Sequence, residues 1–364
     1  QRGMIYNNFM FSVNRLANFN RDVVVSGRGM GMAETICQKT NGLAEESLYD
    51  TPWDDVEIGW LSILGYEGYL IDPHVDSLAS NLFDKYAWMP AIDFTDGTLS
   101  VSESGTYDQY TLSWASNISN QWYIGVSLNI PTLSYTKHVS HRETDRINSA
   151  ELKSMYHLSG LGVSGSIGLI YRPIQALRIG ASFETPTMMS LSMQTEGDMY
   201  STLAPEDILT PESGIISTEM VTPLRTSVSV AGQLGSIGLL ALQYDYAHAV
   251  EMEDVHTLRI GAEVQACRGF FLNAGYVYES SFLNEDPIWQ LAYNDIRTDM
   301  DYRYTASSQY ASAGLGYRSD MVVAQVAYQY RWQTLHQYAT EMQMTAMDVH
   351  ADTHRIVATL AWRF

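Results

Sequence analysis

Charged side chains stand inside otherwise apolar stretches of this 364-residue chain, and their surroundings limit the chemistry that they can do. Arg178 and Glu184 share one such stretch, Asp245 lies in a second and Arg331 in a third. Opposite charges in a partly desolvated interior can pair, and an arginine there can also receive a carboxylate from a ligand. We therefore predict that these four residues form a polar network, with carboxylate binding at Arg178 or Arg331 as the alternative.

Hydrolytic chemistry is a second possibility. His138, Ser140 and His141 lie close together, and His248 follows shortly after Asp245. However, no nucleophile elbow surrounds the serine, and in a strand Asp245 and His248 would point to opposite faces. The sequence consequently predicts no enzymatic activity, no metal site and no cofactor.

The segments that carry these side chains alternate with a period of two residues. In the last one, Ile356, Ala358, Leu360, Trp362 and Phe364 form an apolar face, and the intervening positions carry two arginines and a threonine. The same alternation recurs, with the charges on one face, in residues 122–130, 176–184, 239–247 and 322–333. Such segments are strands that bury one face in an apolar medium and wet the other.

The charged face distinguishes between two all-β architectures. In a soluble sandwich, apolar faces turn inward and pack against each other. In a transmembrane barrel, apolar faces meet lipid and polar faces line a hydrated lumen, which permits charges such as Arg178 and Asp245. We therefore predict an all-β fold, a transmembrane antiparallel β-barrel that forms a single domain over residues 1–364. A soluble, aromatic-rich β-protein is the alternative.

Composition narrows the class further. The mean hydropathy is −0.14, and no apolar run reaches the roughly 20 residues that a membrane-spanning helix needs. The 24 tyrosines suit the aromatic girdles of a barrel. A net charge of −20 argues against a nucleic-acid partner, because phosphate binding needs a basic surface. Cys37 and Cys267 are predicted to lie at opposite ends of the barrel as free thiols.

Alternation and turn residues predict about twelve strands, joined alternately by short turns and long connections. The predicted strands cover residues 8–25, 106–117, 121–137, 155–172, 176–193, 222–234, 238–250, 255–267, 270–282, 307–318, 321–337 and 353–364. Short turns on one rim and long loops on the other are typical of outer-membrane barrels of Gram-negative bacteria, so the C-terminus is predicted to be periplasmic.

The predicted long connections cover residues 26–105, 138–153, 194–221, 283–307 and 340–352. The first is too long for a plain loop. We predict that it folds over the outer mouth with helical pieces at residues 32–40 and 75–86, and a separate soluble domain is the alternative.

Three segments resemble one known family. The hairpin Gly168-Leu-Ile-Tyr-Arg-Pro-Ile-Gln-Ala-Leu-Arg-Ile-Gly-Ala-Ser-Phe-Glu-Thr-Pro-Thr187 resembles the "Y-R-P…L-R-L-G…P-T" hairpin of the long-chain fatty acid transporter (FadL) family. Asn14-Arg-Leu-Ala-Asn-Phe-Asn-Arg21 and Gly65-Tyr-Glu-Gly-Tyr-Leu-Ile-Asp-Pro73 resemble segments of its outer membrane protein transport protein branch. The resemblance covers essentially the whole chain.

The resemblance implies a fourteen-stranded barrel plugged by an N-terminal hatch. Hydrophobic compounds such as long-chain fatty acids would bind among the outer loops and leave sideways through a gap in the wall. The family's hatch, with its Asn-Pro-Ala-Gly element, is absent, so we expect that a hatch and two strands precede Gln1. A self-contained twelve-stranded barrel is the alternative. The implied partners are outer-membrane lipid, lipopolysaccharide and a hydrophobic small molecule.

Candidate capture residues are the apolar, methionine-rich positions of the predicted outer portions: Trp60, Leu64, Met188, Met189 and Met193. Methionine packs adaptively around varied ligands. The alternative is that these side chains only pack the loops against one another.

The first predicted strand loses its alternation at Asn18, Phe19 and Asn20, which indicates a bulge or kink. If two strands precede it, this is the strand that carries the wall opening in the resembling family. A strand that simply leaves the bilayer there is the alternative.

A different class of function stays open: a non-transporting barrel subunit of an outer-membrane assembly or secretion complex. Aromatic residues of the first long connection would then be docking surfaces for other outer-membrane proteins. They are Trp53, Trp60, Tyr66, Tyr69 and Trp88. A small porin for polar solutes is the remaining alternative.

Overall fold

The computed structural model describes residues 3–204, 208, 210, 213–248, 254–281, 291–341 and 347–362. Antiparallel strands dominate this part of the chain. They are β1 (Met4–Asn18), β2 (Arg21–Gly27), β3 (Ile71–Val75), β4 (Tyr86–Pro90), β5 (Asp96–Ile118), β6 (Trp122–Thr144), β7 (Ser149–Ile174), β8 (Leu177–Glu184), β9 (Met188–Ser201), β10 (Gly214–Val221), β11 (Leu224–Leu234), β12 (Gly238–His248), β13 (Val255–Cys267), β14 (Phe270–Ser280), β15 (Tyr302–Arg318), β16 (Val322–Tyr338) and β17 (Met347–Trp362).

One sheet contains every strand except the β3–β4 hairpin. Its order is β1-β5-β6-β7-β8-β11-β12-β13-β14-β15-β16-β17, so neighbours in the sheet follow one another along the chain. β1 and β17 stand at the two ends of this order, and among the described strands β2 and β10 also have a single partner each, β5 and β9. Each predicted strand is found, although residues 249–250, 282 and 363–364 of the predictions lie outside the described residues. The all-β, antiparallel prediction is confirmed.

Two of the predicted strands, 8–25 and 176–193, are interrupted near their middle, and a third break lies where the predicted strand 222–234 begins. β1 and β2 both pair with β5 and are separated by two residues. β8 and β9 both pair with β7 and are separated by residues 185–187. β10 pairs with β9, and β11 pairs with β8, with a break at residues 222–223.

The short connections predicted at one edge of the sheet are confirmed, and we call this edge the turn rim. It holds residues 119–121, 175–176, 235–237, 268–269 and 319–321. Next to it, Trp122 of β6 stacks on Tyr171 of β7 with 4.3 Å between ring centroids. Cys267 is exposed at this rim, whereas Cys37 is buried far from it, and both are free thiols as predicted.

At the opposite edge, the loop rim, two predictions are wrong. Residues 138–153 and 194–221 were predicted as long loops, yet β6, β7, β9 and β10 extend through most of them. Many of the polar residues that suggest a loop there take outward positions on strands that continue beyond the apolar band, while His141 and Glu143 are buried on the inner face. Polar side chains on one face are compatible with a strand when the other face packs on a core.

The first long connection folds against the inner face of these tall strands. Its helix α1 (Met32–Thr40) is confirmed, but α2 (Trp60–Glu67) was not predicted. The helix predicted at residues 75–86 is wrong: only α3 (Leu82–Lys85) is helical, because the β3–β4 hairpin uses the flanking residues. None of the described helices has the length and apolar composition needed to cross a bilayer.

The buried core lies between this connection and the tall strands. Ile36 of α1, Leu64 of α2 and Leu152 of β7 belong to one cluster, together with Leu291 and Met300 from the segment before β15. Backbone hydrogen bonds tie the connection to that segment, since the Trp60 amide donates to the Asp295 carbonyl at 3.1 Å. The outer half of the curled sheet is thus filled by protein.

Candidate functional site

The apolar face of the tall strands changes sides along their length. Near the turn rim, Leu112 of β5 and Leu128 of β6 point outward and are about half exposed. Near the loop rim of the same strands, Leu99, Val101 and Val139 point inward and are buried. Lipid outside the lower part and water outside the upper part explain this inversion, because each part hides its apolar face from water.

At the level where the exterior of the tall strands changes from apolar to polar, their inner face is apolar. Directly opposed residues in antiparallel strands share a face, so the registers define three adjacent rows. These rows carry the residues that we call the interior apolar belt: Phe19, Leu133, Tyr135, Leu158, Met189, Leu191, Met193, Ile216 and Met220. The ring of Phe19 packs edge-on against Tyr135 with 5.3 Å between centroids. The belt therefore offers an apolar ligand a mainly apolar surface, in which Tyr107 and Thr218 are polar neighbours opposite Leu133 and Leu191.

Directly above the belt lies a charged layer, which links distant parts of the sheet. Glu103 of β5 accepts hydrogen bonds from Arg21 of β2 (2.6 Å), Arg303 of β15 (2.7 Å) and the Tyr135 hydroxyl (2.6 Å). Burial opposes ionisation, but the Arg303 and Arg21 guanidiniums and the Tyr135 hydroxyl hold the pKa of Glu103 below its ordinary value. Glu103 is therefore an anion that joins β2, β5 and β15.

A second part of the charged layer fixes the segment before β15. The Lys137 ammonium lies 2.8 Å from carboxylate oxygens of both Asp299 and Asp301. Arg297 also pairs with Asp299 and lies over the ring of Tyr156, 4.6 Å from its centroid. Burial favours neutral lysine, yet the two carboxylates raise the pKa of Lys137 above its ordinary value. These paired charges hold the segment before β15 against β6 and β7 above the belt.

Below the belt, the inner face becomes small and polar, as the sequence predicted. Asp245 of β12 pairs with Arg259 of β13 at 2.7 Å and accepts a hydrogen bond from Gln243 at 2.6 Å. A cavity of about 1010 Å³ lies along this face and extends up to Met220 and Pro223 at the belt. The polar lumen and the belt are therefore continuous.

The four residues of the predicted polar network all lie on the inner face but in separate groups. Glu184 accepts a hydrogen bond from Asn129 at 3.3 Å. Arg331 donates to the Ser308 hydroxyl at 3.0 Å. Arg178 lies near the turn rim, opposite Ala231. The four residues therefore do not form the single network that was predicted. The sequence analysis also missed Arg259, the partner of Asp245, because its position opposite Gln243 depends on strand register.

The predicted capture residues divide between three places. Trp60 and Leu64 lie in the buried core, 4% and 0% exposed. Met188 points outward and is 70% exposed. Met189 and Met193 alone belong to the interior apolar belt. Trp88, offered as part of a docking surface, is also buried and donates from its indole to the Leu43 carbonyl.

The predicted kink is an interruption between β1 and β2. The Phe19 amide donates to the Gly105 carbonyl at 3.0 Å, and the Gly105 amide donates to the Asn20 side chain at 3.4 Å. Gly105 has φ of +125°, and a Cβ there would lie 2.0 Å from the Ser134 carbonyl oxygen, so only glycine fits. Asn18 ends β1, and Phe19 turns its ring into the belt.

Sequence reasoning missed Leu133, Tyr135, Leu158, Leu191, Ile216 and Met220. Their strands alternate throughout, but the apolar residues change from outward to inward positions, as Leu128 and Leu133 do on β6. That change of parity within one strand is the signal that could have located the belt.

Comparisons with known proteins find structures of similar fold at low identity. No family model and no curated protein matches the chain. A Pseudomonas aeruginosa FadL homologue is 14% identical, with a TM-score of 0.47 over 76% of this chain and 78% of that one. The CymD monoaromatic hydrocarbon channel is 14% identical, with a TM-score of 0.47 over 80% and 86%. The Ralstonia pickettii toluene transporter TbuX is 10% identical, with a TM-score of 0.43 over 100% and 90%. This is a weak likeness in fold, and it extends to no individual residue of the site.

Proposed function

We propose that this protein transports hydrophobic compounds across the outer membrane of a Gram-negative bacterium. The observation that carries the proposal is the interior apolar belt, enclosed in a sheet whose lower exterior is itself apolar. An apolar solute gains nothing from a continuous water-filled channel, because moving it from water to an apolar surface is favourable by about 25 cal/mol per Å². The belt offers such a surface at the level of the wall interruptions.

The charged layer and the belt have different roles in this transport. The paired charges of Glu103, Arg303, Lys137 and Asp299 close the lumen above, so a ligand in the belt is separated from the outer medium. Below, the lumen is lined by many Ser and Gly residues and by the Asp245–Arg259 ion pair. This leaves a path sideways through the wall, and one interruption lies beside Phe19, between β1 and β2. Long-chain fatty acids are one class of compound that fits this route.

The orientation follows from the two rims. Short turns with Trp122 and Tyr171 beside them suit the periplasmic interface, and the tall strands with the buried first connection suit the outer surface. We accordingly place the C-terminus of β17 on the periplasmic side, with lipid and lipopolysaccharide as the surrounding partners.

Two methionines on opposite faces of β9 provide the test. Met193→Gln puts an amide into the belt, whereas Met188→Gln makes a similar change on the outward face of the same strand. We expect Met193→Gln to weaken binding of a fluorescent hydrophobic probe such as N-phenyl-1-naphthylamine by about tenfold, the equivalent of about 1–2 kcal/mol of lost apolar contact. Met188→Gln should leave binding unchanged. Equal effects of the two variants, or none from Met193→Gln, would contradict the proposal.

The sheet order ends at β1 and β17, whose outer edges no described strand covers. Within a membrane, unpaired backbone groups on β1 and β17 would each cost several kcal/mol, roughly as for any buried unsatisfied group. We propose that two further strands pair with these edges and complete a fourteen-stranded barrel. If the purified protein has an intact mass of 40.9 kDa, the two further strands do not belong to the same chain.

The alternative function, a barrel subunit of an assembly or secretion complex, makes a different prediction. Such a subunit should migrate with stoichiometric partners after gentle solubilisation, whereas a transporter should migrate without them. Burial of Trp60 and Trp88 removes two of the residues that would form its docking surface.

A further inference from the structure

The wall contains a second interruption that the function proposed above does not use. β8 and β9 are separated by Thr185, Pro186 and Thr187, and the neighbouring β10 and β11 by Thr222 and Pro223. Proline lacks the amide hydrogen that a strand needs to continue its ladder, so regular pairing stops at both places. The two breaks lie side by side because Thr187 and Thr222 exchange hydrogen bonds of 3.0 Å.

Each break adds a residue that shifts the alternation of faces. Glu184 points inward at the end of β8 and Met189 points inward near the start of β9, so inward positions change from even to odd numbers. The corresponding change between β10 and β11 puts Met220 and Arg225 on the inner face. As a result, apolar side chains occupy both faces of the wall at this level.

Outside the wall, the break meets an apolar surface. Met188 and Val221 are directly opposed, point outward, and are 70% and 60% exposed. They form the last apolar pair before the exterior becomes polar at Ser190 and Glu219. The break therefore opens at the upper edge of the lipid-facing band.

Inside the wall, the same break meets the belt. Met189 and Met220 are directly opposed on the inner face, one row from Leu191. The 1010 Å³ cavity is bordered here by Phe183, Met220 and Pro223. Gly162 of β7 allows this close packing, because a Cβ there would lie 2.6 Å from the Met189 side chain.

The interruption beside Phe19 has a different exterior. There, Arg15 and Asp108 form an outward-facing ion pair of 2.9 Å, with the arginine side chain 58% exposed. An apolar solute leaving past this pair must displace water from charged groups, which is unfavourable. At the proline breaks it would pass from Met189 and Met220 to Met188 and Val221.

We propose that the two proline breaks form a second lateral port, which we call the proline port. It consists of Thr185, Pro186, Thr187, Thr222 and Pro223. Through it, uncharged hydrophobic compounds exchange between the interior apolar belt and the hydrocarbon of the surrounding membrane. The inference rests on the proposed function, and it adds a route and a preference for solutes without charge.

A reversible cross-link across the port tests the route. In a Cys267→Ser background, Met188→Cys with Val221→Cys places two thiols on directly opposed residues, the geometry that a disulfide can bridge. The matched control is Ser100→Cys with Ser140→Cys, an outward pair on β5 and β6 away from both interruptions. A third pair, Asn18→Cys with Thr106→Cys, bridges the wall beside Phe19.

The readout is the rate at which N-phenyl-1-naphthylamine enters vesicles that contain each protein, oxidised and then reduced. We expect oxidation of the Met188/Val221 pair to slow entry at least threefold and reduction to restore it, with no change for the Ser100/Ser140 pair. An unchanged rate with the Met188/Val221 pair oxidised would overturn the proline port.

The same measurements distinguish failure of the proline port from failure of the transport function. If only the Asn18/Thr106 cross-link slows entry, the proline port is wrong and the transport function stands. If the unmodified protein admits the probe no faster than protein-free vesicles, the transport function itself fails.

Discussion

Glu103 connects residues that lie far apart in the chain. Its partner Arg303 is 200 positions away, and both of its oxygens accept hydrogen bonds. Two guanidiniums share this carboxylate, so without it Arg21 and Arg303 would repel each other in a desolvated place. Removal of one member of a buried ionic group costs far more than the group as a whole contributes.

We expect Glu103→Ala to lower the free energy of unfolding by roughly 2–4 kcal/mol, less than for a fully buried pair because Arg303 is partly exposed. Urea unfolding of the protein in phospholipid vesicles measures this. Glu151→Ala is the matched control, since Glu151 accepts from Ser140 on the outward face. A similar loss in both variants would argue against a special role for Glu103.

The same residue predicts a pH dependence. Because the pKa of Glu103 is lower in the folded protein, its contribution is present above the ordinary glutamate pKa of about 4.3 and is lost as pH falls through the folded value. We expect the urea midpoint to fall on acidification below about pH 4. Glu103→Gln should remove part of that fall, and an unchanged acid profile would contradict the assignment.

Strand interruptions occur where the exterior changes from apolar to polar. β1 and β2 break beside the belt, as do β8 and β9, while β5 and β6 run through the same level without a break. A regular strand seals the wall with its ladder of hydrogen bonds, so an interruption is the place where the wall can part at the lowest cost.

Restoring regular strand sequence at the first interruption tests its role. We expect Asn18→Val with Asn20→Val to slow uptake of a hydrophobic probe if the wall parts there, because valine favours the extended ladder and removes the side-chain bond to Gly105. Ser100→Val with Ser140→Val makes the same kind of change on unbroken strands and should have no effect. Unchanged uptake in both would show that this interruption is only structural.

The sheet as a whole has two faces with opposite solvents in its lower half. Leu242 of β12 points outward beside Val230 and Ile260, whereas Ser229 of β11 points inward beside Gln243. In a soluble β-protein, the large apolar side chains would instead pack together in a dry interior. Here the large apolar side chains are exposed along the outer surface, as a lipid-facing band requires.

We expect Leu242→Arg to destabilise the protein in a bilayer by about 2–4 kcal/mol, the cost of a cation near the middle of the lipid face. Ser229→Arg should be tolerated within about 1 kcal/mol, because it faces the hydrated lumen. Urea midpoints in vesicles compare the two. If Ser229→Arg were the more damaging variant, lipid and water would be on the opposite faces.

Much of this architecture could be predicted from local alternation. Lipid and water impose opposite demands on successive residues, so a single strand such as residues 322–333 already reveals its two environments. Loss of alternation also indicated the interruption at Asn18, Phe19 and Asn20, where β1 ends before β2 begins. It failed at residues 138–153, since polar outward residues resemble a loop until the buried inner face is known.

The remaining features depend on which strands lie side by side. No local pattern shows that Arg303 contacts Glu103, that Arg259 pairs with Asp245, or that the breaks at residues 185–187 and 222–223 lie side by side. Register and the curl of the sheet set these contacts, because they bring together residues whose separation along the chain carries no information about their distance. The alternation of apolar and polar residues thus determined which face of each strand meets lipid and which meets water. The pairing of strands determined the belt, the charged layer and the position of the breaks beside them.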